Sequence, residues 1–111
     1  MDRVFIPRKY TCWEFTREVW KDLTGEDLGI NPFNRYTEKV EELEIIKGNA
    51  ARMLVTPKTP CVVLMISDKD PVPHTGVFIN GKILHLPRNQ NVHFERIENI
   101  LIGFKEVRFY Q

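Results

Sequence analysis

The stretch whose reading decides the fold is "PHTGVFINGKILHLP", residues 73–87. Apolar residues alternate on both sides of Asn80-Gly81, the strongest short-range hairpin signal a sequence offers. The spacing predicts strands over 75–79 and 82–86 joined by a two-residue type I′ turn. The register follows from the turn: Ile79 opposite Lys82, Val77 opposite Leu84, Gly76 opposite His85. Opposed residues share a face, and so do residues two apart on one strand. His74, Gly76, Phe78, Ile83 and His85 therefore fall on one face, with His74 and His85 diagonal neighbours. Gly76 lies between them and leaves a gap. The chain has three histidines, and two of them converge here. They are either ordinary strand residues or parts of a site.

Upstream of the hairpin, "CVVLMIS" (61–67) is a continuous β-branched and apolar run, as expected of a strand buried on both faces. Downstream, "NVHFERI" holds a further short strand, "IENILIG" a turn of helix, and "KEVRFYQ" a closing strand. His93 is expected on the solvent side of its strand, and "DKD" (68–70) in a solvated turn. Toward the N-terminus the period changes to helical. Cys12, Phe15, Thr16, Val19 and Leu23 recur at three- and four-residue spacing over 11–24. Thr11 with Glu14 makes a capping box, Cys12 takes the first helical position, and Gly25 is the stop. Residues 26–36 read as a loop. A second helix is expected over 37–47, with a few more helical residues in "NAARML" (49–54). Helices first and an antiparallel sheet after them is the α+β pattern.

At 111 residues the chain makes one domain, 1–111, with a core that needs no staples. Sixteen basic and fifteen acidic residues, scattered in sign, leave a net charge of +1, which gives no basic stripe for nucleic acid. The longest apolar run, 61–66, is too short to span a membrane. The N-terminus "MDRVFIPRKYTCWEF" shows no signal segment. The expectation is therefore synthesis in the cytoplasm, with any release through lysis, a particle or a dedicated secretion machine.

The two cysteines, Cys12 and Cys61, match no zinc-knuckle spacing and read as separate thiols. At a helix start Cys12 meets the positive end of the macrodipole and unpaired N–H groups, which favour a thiolate. Cys61, inside an apolar strand, is expected to be inert. A helix-start cysteine with two histidines on one sheet face meets the needs of a Cys-His-X nucleophile. The plain alternative for Cys12 is a small hydrophobe on the buried helix face.

"CWEFTREVWKDLTG", "TPCVVLMI", "HTGVFINGKILHL" and "VHFERIENILIGFKEVRFY" together resemble the NlpC-type, papain-like peptidoglycan cysteine peptidases, in particular their compact phage-tail members. The resemblance covers the chain apart from a variable region, 26–58. It implies a papain-like core of N-terminal helices on a small antiparallel sheet. It also implies catalysis by Cys12 as nucleophile, His74 as general base and His85 as its orienter. Tyr10, Trp13 and Gly76 are the substrate-binding candidates. The implied substrate is a cell-wall stem peptide or another peptide or amide, in a phage or prophage setting, with phage tail proteins as partners. No cofactor, metal, nucleic acid or membrane is implied.

The chain departs from the family pattern in several places. Thr11 precedes the cysteine where an acid is usual, Glu14 replaces a glycine, and Pro60-Cys61 replaces Gly-Asp. Tyr10 is not the counterpart of the tyrosine such enzymes carry about a dozen residues earlier. These departures keep three other readings open. One is an inactive structural or tail-assembly relative that binds peptidoglycan or a partner protein. Another is a zinc hydrolase through Cys12, His74 and His85. The last is an amidase, acyltransferase or isopeptidase on the same scaffold.

Overall fold

The computed structural model describes residues 4–7, 9–29, 53–70 and 72–111. The helix expected over 37–47 lies outside them. Helix α1 (Cys12–Thr24) begins where the capping box places it. The Glu14 carboxylate accepts a hydrogen bond from the Thr11 N–H at 2.9 Å, and Cys12 is the first helical residue. Gly25 ends the helix in the left-handed region at φ 81°, where its N–H donates to the Lys21 carbonyl. The buried stripe is Trp13, Phe15, Thr16, Val19 and Trp20. Leu23, expected on it, is about half exposed instead. Trp13 and Trp20 are buried on that stripe, with their indole N–H groups donating to Gly29 O and Glu26 Oε1.

The strands are β1 (Met53–Leu54), β2 (Cys61–Ile66), β3 (His74–Ile79), β4 (Lys82–His85), β5 (His93–Arg96) and β6 (Glu106–Tyr110). A short helix, α2 (Ile97–Gly103), joins β5 to β6. The strands form one six-stranded sheet in the order β1-β6-β2-β3-β4-β5, and each neighbouring pair is antiparallel. The α+β class stands, with a helix packed on an antiparallel sheet. Met53 and Leu54 are strand rather than helix, because they pair with Tyr110 and Phe109 of β6. That partner lies more than fifty residues away, beyond the reach of a local pattern.

The β3–β4 register is the one the turn dictates: Gly76 opposite His85, Val77 opposite Leu84, Phe78 opposite Ile83, Ile79 opposite Lys82. Asn80 and Gly81 both have positive φ, 49° and 83°, as a type I′ turn requires. The Asn80 N–H donates to Thr59 Oγ1 at 2.9 Å, tying the turn to the loop before β2.

Strand alternation splits the core in two. On one face α1 packs on Val62, Leu64, Val77, Leu86 and Tyr110. On the other, Cys61, Val63, Met65, Phe78 and Ile83 meet Ile100 of α2, with Phe104 and Phe109 beside them. β2 is buried on both faces along nearly its whole length, as its unbroken apolar run requires. No helix among the described residues is long and apolar enough to cross a membrane.

Candidate active site

His74 opens β3 and His85 closes β4, and the register brings them together. His74 Nε2 and His85 Nδ1 are 2.7 Å apart in a hydrogen bond, with the rings edge to face. The close approach depends on Gly76. A Cβ there would stand 2.9 Å from Ile83 Cγ2, 2.9 Å from the Leu84 carbonyl oxygen and 3.0 Å from His85 Cβ. The missing side chain therefore lets β4 close on β3 and is not an opening for a substrate group. His74 also stacks in parallel with Phe104, ring centroids 6.2 Å apart. Burial, aided by the neighbouring His85, pushes the His74 imidazole down to about 3, so it is neutral at neutral pH. His85 is likewise pushed down by burial, against the opposing pull of Glu95.

Two further residues belong to this cluster. His93 lies directly opposite His85 in the β4–β5 pairing, and Glu95 lies opposite Ile83. Both therefore point to the face that carries His74 and His85. The expectation that His93 sits on the solvent side is overturned: Phe94 and Arg96 take that side, and His93 is half-buried. His93 Nδ1 bonds Glu95 Oε1 at 2.8 Å, and that bond holds the carboxyl below its usual range. His85 Nε2 faces the same Glu95 oxygen at 3.4 Å without forming a hydrogen bond, and it is a buried polar atom with no hydrogen-bond partner.

Cys12 stands on the other side of β3. Thr75 alternates to the α1 face, where Thr16 Oγ1 donates to Thr75 Oγ1 at 3.0 Å with both residues fully buried. The Cys12 thiol lies against the Thr75 side chain and backbone. The fold thus brings His74 to His85 and brings the thiol to the residue next to His74, with no hydrogen bond between Cys12 and His74 among the described residues. Burial raises the Cys12 thiol above its ordinary value, outweighing the contacts with Thr75 that lower it. The expected resting thiolate is overturned for that reason: the thiol at the helix start is largely covered, though Cys12 keeps partial exposure. Cys61 is also pushed up by burial, and it is fully enclosed.

Of the substrate-binding candidates, Trp13 is buried in the core with its N–H on Gly29 O. Tyr10 is half-buried, and its hydroxyl donates to Glu18. The sequence did not single out Thr75 and Glu95, and it placed His93 outside the site. A period-two count from His85 across the 86–92 loop was the signal for the last two, but the loop hides the register. Compared with family models, with curated proteins and with solved structures, the chain has no match in any of the three.

Proposed function

We propose that this protein is a cysteine peptidase or amidase of the NlpC type, in a phage or prophage setting, cutting a stem-peptide bond of peptidoglycan. The observation that carries the reading is the 2.7 Å contact from His74 Nε2 to His85 Nδ1. It occupies one nitrogen of the base with an orienting group and leaves Nδ1 to receive a proton. The capped start of α1 supports the reading from the other side, because it sets Cys12 against Thr75, the chain neighbour of His74.

With a protonated resting thiol, chemistry begins by general-base attack rather than from a preformed thiolate. In this reading Cys12 Sγ forms a bond to the substrate carbonyl carbon while the thiol proton passes to His74 Nδ1, which requires the thiol to turn past Thr75 toward the His74 side of β3. The oxyanion is held by the Cys12 backbone N–H and a neighbouring donor at the start of α1. The C–N bond breaks as His74 returns the proton to the leaving amine. Water then attacks the thioester with His74 as base and releases the acid and the thiol.

A second reading is favoured by the same thiol: held by Thr75 and raised by burial, Cys12 suits a relative that binds peptidoglycan or a tail partner without cutting it. Digestion of purified muropeptides separates the two. The enzyme reading expects new amino termini with wild type and none with Cys12→Ala or His74→Ala. Products that persist with Cys12→Ala, or none with folded wild type, would end it.

A further inference from the structure

We propose that His85, His93 and Glu95 form a binding site for a divalent transition metal of the zinc type. The three offer two imidazole nitrogens and a carboxylate oxygen, with ligand atoms all within 4.8 Å of one another. Ligands of a tetrahedral zinc are about 3.3 Å apart. His85 Nε2 and Glu95 Oε1, at 3.4 Å, already have that spacing. His93 Nδ1 lies 2.8 Å from the same oxygen, so small side-chain rotations would bring the three ligand atoms round one ion.

The second observation is His85 Nε2 itself. Its residue is 4 % exposed, and this nitrogen has no hydrogen-bond partner although Glu95 faces it. A buried polar atom without a partner is costly and calls for a ligand. The supporting shell is also present. A metal-bound imidazole directs its other N–H to an acceptor that fixes its tautomer. The His74 Nε2 to His85 Nδ1 contact at 2.7 Å supplies that partner, with His85 Nδ1–H the donor when a metal occupies His85 Nε2. His93 and Glu95 side chains are 37 % and 34 % exposed, so the ion has an entry path and the fourth position can take water.

This site does not depend on the peptidase reading, but one consequence does. Metal on His85 Nε2 keeps the His85 proton on Nδ1, directed at His74 Nε2. The proton of neutral His74 must then sit on Nδ1, the atom that would accept the thiol proton. Zinc held here would oppose turnover without touching Cys12.

The test is titration of the full chain with Co2+, read by the visible d–d absorption of a low-coordinate nitrogen and oxygen site, with Zn2+ displacing it. Saturable binding is expected in wild type and in Cys12→Ser, and its loss in His93→Ala and in Glu95→Gln. Both substitutions are at half-exposed positions, and circular dichroism checks their fold. Absence of saturable binding to wild type overturns the proposal without any variant. Binding that survives both substitutions, or that disappears in Cys12→Ser, also overturns it. Where hydrolysis is measurable, zinc should slow it reversibly, and less so in His93→Ala. Equal inhibition in that variant would put the metal on the thiol and overturn the assignment. Cobalt binding is read without activity, so failure of the peptidase reading leaves this test intact.

Discussion

The two faces of the sheet treat their buried polar groups in opposite ways. Under α1, the polar groups are closed on one another: Thr16 donates to Thr75, and each indole N–H has an acceptor. Across the sheet, at the ends of β3, β4 and β5, three imidazoles and a carboxylate share a chain of contacts that ends on an unpartnered nitrogen. A satisfied buried pair fixes how a helix sits, whereas an unsatisfied buried nitrogen is kept at a cost and points to a ligand or a proton. The α1 face is therefore scaffold, and the histidine face is where chemistry is expected. Cys12 is the link between them, seated on the scaffold side against the neighbour of His74.

The scaffold side should break most expensively. Phe15→Ala removes a fully buried ring from under α1 and should cost about 3–5 kcal/mol in chemical denaturation. A loss below about 1 kcal/mol would mean α1 is not clamped as described. Next comes the histidine face: Gly76→Ala forces a Cβ against the Leu84 carbonyl and His85 Cβ and should cost about 1–3 kcal/mol. It should also separate the two imidazoles, visible as altered histidine ring resonances by NMR. Unchanged resonances would contradict the tight β3–β4 approach.

Thr75→Val leaves the Thr16 hydroxyl without its partner and should cost about 1 kcal/mol. Adding Thr16→Val should then cost less than the two single losses together, whereas strict additivity would deny the pair.

A further effect appears only in acid. His74 is held neutral in the fold and titrates lower there, at about 3, than its ordinary 6.5. Its contribution to stability is complete above 6.5 and is lost as pH falls from there toward about 3, because the unfolded chain takes the proton first. His74→Phe should flatten that part of the stability profile, and an unchanged slope would contradict a buried neutral imidazole.

Local chemistry made some of this legible in the sequence. Thr11, Glu14 and Gly25 fix the ends of α1, and Asn80-Gly81 fixes the register that joins His74 to His85, because each signal acts within a few residues. What escaped depends on distant pairing. The strand character of Met53 and Leu54 comes from β6, and the place of His93 and Glu95 comes from a register set beyond the 86–92 loop. The raised Cys12 thiol escaped for a related reason: helix position favours a thiolate, but burial between α1 and the sheet is tertiary and prevails even over the contacts with Thr75.

The central claim is that a thiol on one side of β3 is served by the imidazole pair beginning on the other. Iodoacetamide alkylation, followed by peptide mass spectrometry across pH 6 to 9, tests it most directly. The account predicts that Cys12 is modified faster than the enclosed Cys61, that the Cys12 rate climbs with pH as its raised thiol ionises, and that His74→Ala slows it. Equal or negligible reactivity at both cysteines, or a Cys12 rate indifferent to His74→Ala, would contradict it.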